Sequence, residues 1–382
     1  VTIEHSHPRT DTDRTPSSVV RAVVVVSLLY LFLVGIGLLE TGINGLGSDL
    51  QETLFSSVSN PVAGLCVGVL ATVLAQSSSV TTSTIVGLVG SGLLGLEDAV
   101  PMIMGANIGT TVTNTLAALG HLRRSSEFRA AFAAATVHDF FNVIAVAVLL
   151  PIELATGFLS STAEWMTEGL IGGGGATYES PVKQAVSAPV GWIESVLDNT
   201  GLTGTALGVL LIVAGLAAIF LALTFITRNM RALIAARVER SLNAMLSKGG
   251  GTPAIILGVI ITVAVQSSSI TTSIMIPLSA AGVLTLRNAY PVTLGANVGT
   301  TISALLASLA TDRPEALTIA LVHTLFNITG ILLLYPIPFL REIPIRMAER
   351  TADIAVRRKS AVLGYVVITF IVIPSVGVIL LR

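Results

Sequence analysis

Two blocks of small oxygen-bearing side chains stand out against their apolar surroundings. Gln76-Ser77-Ser78-Ser79-Val80-Thr81-Thr82-Ser83 returns 190 positions later as Gln266-Ser267-Ser268-Ser269-Ile270-Thr271-Thr272-Ser273. Hydroxyls, amide oxygens and backbone carbonyls are hard oxygen ligands of the kind that strip water from an alkali cation such as Na+. A second phrase, Gly105-Ala106-Asn107-Ile108-Gly109-Thr110-Thr111, repeats as Gly295-Ala296-Asn297-Val298-Gly299-Thr300-Thr301 at the same offset of 190. A third pair, His138-Asp139-Phe140-Phe141-Asn142 and His323-Thr324-Leu325-Phe326-Asn327, is offset by 185. A period this long is no solenoid; it is an internal duplication, and duplicated apolar halves with interrupted segments point to a secondary transporter.

The chain is 52% hydrophobic and 11% charged, against about 25% charged in soluble domains. It therefore reads as an all-α, multi-pass integral membrane protein whose solvent is the lipid bilayer. A formal net charge of −1 gives no footing for nucleic acid. The lone Cys66 excludes an internal disulfide. No cofactor is expected beyond the coupling ion.

The elements that must position these blocks follow from hydropathy. Residues 1–18 form a polar tail expected to be disordered, and the apolar run after it reads as a retained helix rather than a signal peptide. Residues 19–153 form a first repeat and 204–340 a second, joined by a linker at 154–203. Val19 to Leu39 is long enough to cross, since about 20 residues at 1.5 Å each cover a ~30 Å core. Pro61 to Ala75 and Pro253 to Val265 are too short. Each is interrupted by its Gln-Ser-Ser-Ser block and followed by another short apolar run. Hence re-entrant hairpins are expected at 61–96 and 253–284, with broken spans at Ala99–Leu119 and Ala289–Leu309. Arg129 to Leu150 should end at Pro151, and Glu315 to Leu334 at Pro336. Gly204 to Ile226 spans, and Arg228 to Lys248 is a basic connector, in one reading an amphipathic surface helix. A basic loop at 341–359 leads to an extra span at 360–382, outside the repeat. Arginine and lysine cluster at 123–129, at 228–248 and in the loop at 341–359. Placing all three on the cytoplasmic side puts the amino terminus inside and gives the two halves inverted topology.

Polar groups at membrane depth usually mark a pathway. Interrupted helices also present N-termini that attract anions. No Lys or Arg occurs from Ala22 to Leu122, nor from Gly249 to Leu286. An anion near the blocks would thus be balanced by helix ends, hydroxyls and co-bound cations. Against this stand bland readings: local hydroxyl bonds, glycine-mediated packing for the Gly-Ala-Asn phrases that carry Asn107 and Asn297, and structural roles for His138 and His323. Asp139, an acid within a span, reads as a cation or proton-linked site. Asn142 and Asn327 read equally as ligands or interhelical bonds. A serine-hydrolase reading fails because neighbouring His138 and Asp139 face different sides of a helix and Gly-x-Ser-x-Gly is absent, so no enzyme is expected.

Gln76–Ser83 and Gln266–Ser273 resemble the paired signatures of the type II Na+/phosphate cotransporters. Gly105–Asn114, Val137–Asn142, Val148–Glu153, Tyr290–Thr301, His323–Phe339 and Arg346-Met347-Ala348 resemble that family's flanking motifs. The resemblance covers roughly residues 61–153 and 204–349, and its short linker without cysteines is similar to prokaryotic relatives. It implies an electrogenic, elevator-like symporter of Na+ and inorganic phosphate in the cytoplasmic membrane, with electrogenicity tied to Asp139. It implies phosphate at Gln76, Ser77, Ser78, Ser79, Gln266, Ser267, Ser268 and Ser269. It implies Na+ at Gln266, Ser267, Thr300 and Ser303, with Thr110 and Thr113 as first-half equivalents. Asn107, Asn297, Asp139 and Asn142 complete the expected cation-binding set. The oligomeric state is left open, a homodimer being one form. The alternatives are another small oxyanion, such as sulfate or arsenate, or a membrane phosphate sensor without flux.

Overall fold

The computed structural model describes residues 18–46, 60–171, 180–246 and 251–381. The expected tail up to residue 17, residues 47–59 and 172–179, and the connector's end at 247–250 lie outside the described residues. Among the described residues all regular structure is helical. In chain order the helices are α1 Ser18–Asn44, α2 Pro61–Ala75, α3 Ser78–Ser91, α4 Leu96–Gly109, α5 Val112–Ala118, α6 Ser125–Thr156, α7 Phe158–Ile171 and α8 Pro181–Asp198. There follow α9 Thr205–Leu246, α10 Thr252–Val265, α11 Ser268–Ala280, α12 Leu286–Ser308, α13 Pro314–Leu334 and α14 Pro338–Arg357. Last come α15 Ser360–Val367, a π turn at Ile368–Val372 and α16 Ile373–Leu381.

Five described segments are long and apolar enough to cross a membrane: Val19–Asn44, Ser125–Thr156, Thr205–Met230, Pro314–Leu334 and Ser360–Leu381. The chain is a multi-pass membrane protein. α2 and α10 are apolar but short, as expected. The segments at 99–119 and 289–309 are not among the five. They carry the Asn, Thr and Gly phrases and are buried along most of their length by other helices.

Small residues set how closely these helices approach. A Cβ on Gly68 would lie 2.0 Å from the Met102 carbonyl oxygen, and one on Gly105 2.0 Å from that of Leu65. In the second half the distances are 2.1 Å from Gly258 to Val292 and 1.9 Å from Gly295 to Ile255. Thus α2 lies backbone to backbone on α4, and α10 on α12. The glycines of the Gly-Ala-Asn phrases are packing residues, whereas their asparagines do something else. α1 and α9 are joined likewise, with Cβ positions on Gly42 and Gly208 each 2.7 Å from the other's carbonyl oxygen.

Four expectations are corrected. Pro151 does not stop its helix; α6 continues to Thr156 and ends at Gly157, which has φ +60°. A proline within a membrane helix costs one bond that neighbours can restore. Further on, Glu153 accepts from the Leu159 and Ser160 amides at 2.6 and 3.1 Å and so caps α7. The first broken helix is broken, at Thr110–Thr111, but its counterpart α12 runs unbroken through Thr300 and Thr301. The break falls where Thr111 and Thr115 flank Asp139; the matching residues of the second half include Leu305 and Thr324, which carry no charge. The basic loop at 341–359 is mostly the amphipathic helix α14, which buries Ile345, Ala348, Ala352 and Ala355 at helical spacing. The connector after Ile226 prolongs α9 without interruption to Leu246.

The linker is also largely helical. Lys183 of α8 bridges Glu40 at 3.0 Å and Asp312 at 2.8 Å, fastening the linker to α1 and to the turn before α13. Burial works against the Lys183 charge, but Asp312 and Glu40 outweigh it and hold its pKa above the ordinary lysine value. The stop at Pro336 stands, since α13 ends at Leu334.

Gly105→Ala and Gly295→Ala should each lower the melting temperature of the detergent-solubilised protein by at least about 5 °C, as overpacking costs ~1–3 kcal/mol or more. Gly169→Ala, where a Cβ meets nothing within 4 Å, should leave it unchanged.

Candidate functional site

Each Gln-Ser-Ser-Ser block is a turn that ends one helix and starts the next. Gln76 has φ 52° and Gln266 φ 55°, the non-glycine residues in the left-handed region among those described. That conformation is strained for a residue with a Cβ. It is held by the side chain, whose Nε2 donates to the Val73 carbonyl at 2.6 Å in the first copy and to Val263 at 2.7 Å in the second. The next residue is an N-cap: the Ser77 hydroxyl accepts from the Val80 amide at 3.3 Å, and that of Ser267 from the Ile270 amide at 3.4 Å. The glutamine therefore closes one helix end and the serine opens the other. Ser78, Ser79, Ser268 and Ser269 occupy the first turns of α3 and α11, where backbone N–H groups lack intrahelical partners.

The remaining amide oxygen of each glutamine faces the polar helices. Thr113 donates to Gln76 Oε1 at 3.2 Å, and Ser303 to Gln266 Oε1 at 2.9 Å. The copies then cross. The Ser303 hydroxyl lies 3.3 Å from Ser79 Oγ, and Ser83 donates to the Ser303 carbonyl at 3.4 Å. Ser303 thus stands between the two turns. From the other side, Asn114 Oδ1 accepts from Thr272 at 2.7 Å and from Ser273 at 3.5 Å.

Beneath this layer lies a buried asparagine hub. Asn297 Oδ1 is 2.5 Å from His138 Nε2, and Asn297 Nδ2 donates to Asn142 Oδ1 at 2.7 Å. Asn142 Nδ2 donates to the Asn107 carbonyl at 2.7 Å, and Asn327 Nδ2 to Asn107 Oδ1 at 3.2 Å. The side-chain amide of each half's asparagine is therefore met by the His-x-x-x-Asn helix of the other half, while Asn142 also holds the Asn107 carbonyl within the first half. With Oδ1 accepting, His138 donates through Nε2, and its Nδ1 has no hydrogen-bond partner. Thr72, Thr82, Asp139 and Asn327 each also keep a buried side-chain oxygen without a partner among the described residues.

Not every expected residue joins this cluster. Thr110 and Thr300 turn their hydroxyls back to the Ala106 and Ala296 carbonyls, both at 2.9 Å. Asp139 lies on a different side of α6 from His138 and is bonded to Tyr365 and Thr115. Ser83 ends the first repeated block, but its own role, like those of Asn114 and Tyr365, is not legible from sequence. Asn114 closes Gly105–Asn114, one of the stretches that resemble the family's flanking motifs, which is a signal; Tyr365 stands outside the duplication and has none.

A family model described as Na+/Pi-cotransporter matches residues 31–171 and 218–338. Sheep "Sodium-dependent phosphate transport protein 2A" is 33% identical over 95% of this chain and 68% of its own length. Human "Sodium-dependent phosphate transport protein 2B" is 33% identical over 93% of this chain and 64% of its own length. The chain thus spans about two thirds of these relatives. No solved structure matches it.

Asn297→Ala strands buried groups on both His138 and Asn142, at roughly 1–3 kcal/mol for each. Thermal unfolding should show a large loss for Asn297→Ala and for Asn142→Ala. The double variant should lose clearly less than the sum, since the pair shares one bond.

Proposed function

The chain belongs to the Na+/Pi-cotransporter family, and from that premise we propose that it moves inorganic phosphate across a membrane in symport with Na+. The observation that carries the reading is Ser303, which bonds the second turn at Gln266 while its hydroxyl and carbonyl meet Ser79 and Ser83 of the first half. It brings both Gln-Ser-Ser-Ser blocks to one place.

Phosphate is assigned to the N-terminal turns of α3 and α11, with Gln76, Ser77, Ser78 and Ser79 on one side and Gln266, Ser267, Ser268 and Ser269 on the other. Free N–H groups and positive dipole ends suit an oxyanion there. With no Lys or Arg between 22 and 122 or between 249 and 286, further positive charge comes from the cargo cation itself. Na+ then builds the anion site, which is a physical reason for coupling. Its ligands are drawn from Gln266, Ser267, Ser303 and Thr300, their counterparts Thr110 and Thr113, and Asn107, Asn297, Asn142 and Asp139. The unpartnered buried oxygens of Asn327, Thr72, Thr82 and Asp139 add to the oxygen-rich setting.

The larger mechanism belongs to the same proposal. The two turns are the tips of re-entrant hairpins in inverted repeats, and the tips move as a unit against the α1–α9 pair in an elevator-like step. The amino terminus faces the cytoplasm, the membrane is the cell's own, and a homodimer would be formed through faces outside the transport core. Asp139 supplies the charge that makes transport electrogenic. Crossed bonds between the halves support movement of the tips as one body.

Radiolabelled phosphate uptake into proteoliposomes tests this. An inward Na+ gradient should drive saturable uptake that choline does not support. Ser303→Ala should reduce uptake at limiting Na+ by about tenfold, the scale of one strong polar contact. Asp139→Gly should remove the acceleration by an inside-negative potential. Equal flux in choline would overturn the coupling, and sulfate or arsenate flux without phosphate flux would overturn the substrate.

A further inference from the structure

Asp139 breaks the chemical symmetry of the two halves, because Thr324 stands at its place in the second. Thr324 needs no outside partner: its hydroxyl donates to the Ala320 carbonyl at 3.1 Å. Asp139 is 1% exposed, and a buried carboxylate must find donors or a cation. One donor comes from outside the duplication. Tyr365 of α15 donates its O–H to Asp139 Oδ2 at 2.7 Å, and the Thr115 hydroxyl lies 3.5 Å from the same oxygen. The other oxygen, Oδ1, is buried and has no hydrogen-bond partner among the described residues.

The phenol is itself fixed in place. Its ring meets Phe132 edge-on at 6.2 Å and Phe370 at 6.1 Å. Phe370 lies in the π turn at 368–372, whose wider winding departs from the α-helical register just beyond Tyr365. The C-terminal helix is set against the first half: Val366 and Phe370 pack with Val112, Ile108 and Val73, and Gly377 lies against Cys66. The helix outside the repeat therefore serves the half that carries the extra acid.

We propose that Tyr365 is a positioning residue for cation coupling: from the C-terminal helix it holds Oδ2 of Asp139 and so aims Oδ1 at the cargo Na+. The proposal rests on the reading of Asp139 as a cation ligand. Phenol and cation use different oxygens, so the tyrosine orders the ligand and does not compete with the ion. Removing the hydroxyl frees the carboxylate to rotate and weakens cation capture, while the phosphate site at the two turns is untouched.

The test compares wild type, Tyr365→Phe, Asp139→Gly and the double variant, all as the full chain in proteoliposomes, by phosphate uptake against Na+ concentration. Stabilisation of the detergent-solubilised proteins by Na+ against heat gives a readout independent of transport. Phenylalanine keeps both ring contacts, so the fold should persist. Tyr365→Phe should raise the half-saturating Na+ at least about tenfold, the effect of one hydrogen bond to a charged group. Its phosphate KM at saturating Na+ should be unchanged. In the Asp139→Gly background the same substitution should add nothing. An unaltered or lowered half-saturating Na+ in Tyr365→Phe, or an equal effect in both backgrounds, would overturn the positioning role. Asp139→Gly with wild-type Na+ dependence in both assays would overturn the ligand reading beneath it.

Discussion

A helix that stops within an apolar phase leaves carbonyl and amide groups with no water to receive them. α2 and α10 are short apolar helices that end at the Gln-Ser-Ser-Ser turns, and the polar layer is arranged around how those ends are closed. The solution is the same in both copies. A glutamine in the left-handed region returns its own amide to the last turn, and a serine caps the helix that follows. This leaves each glutamine's amide oxygen to accept from a hydroxyl of the polar helices, Thr113 in the first copy and Ser303 in the second. The groups that close the backbone and those that reach the polar helices come from the same short phrase, which accounts for its composition.

The two turns are brought together because the halves interlock. Ser303 and Asn114 each reach into the opposite half, and the asparagine hub crosses beneath them. Each half thus places part of its buried polar network in the other. The glycine contacts of α2 with α4 and of α10 with α12 fix the depth at which these side chains meet. At carbonyl distances near 2 Å for an added Cβ, there is no room for a methyl group. Packing at the backbone and chemistry at the side chains are therefore carried by one phrase, Gly-Ala-Asn, with the glycine facing one neighbour and the asparagine another.

The duplication is not chemically even. The acid at 139 opposes a threonine at 324, the helix around Thr110 is broken where that around Thr300 is not, and the C-terminal helix lies on the first half. These differences gather around one carboxylate. A buried charge demands donors that a neutral residue does not, and the surroundings of Asp139 differ from those of Thr324 accordingly.

Much of this was legible from residue order. The apolar runs, the short segments at 61–75 and 253–265, the repeated phrases and the family resemblance all depend on composition and spacing, which a sequence carries in full. So did the opposite facing of His138 and Asp139, because adjacent residues on a helix cannot share a side. What the sequence did not contain was partner choice across long separations. Ser303 meeting Ser79, Asn297 meeting His138 and Tyr365 meeting Asp139 join residues more than 150 positions apart. Nor could it show that Pro151 lies within a helix, or that Thr110 and Thr300 bond their own backbone. Local chemistry determined which groups were available; only the packing of helices on glycine contacts decided which of them would touch.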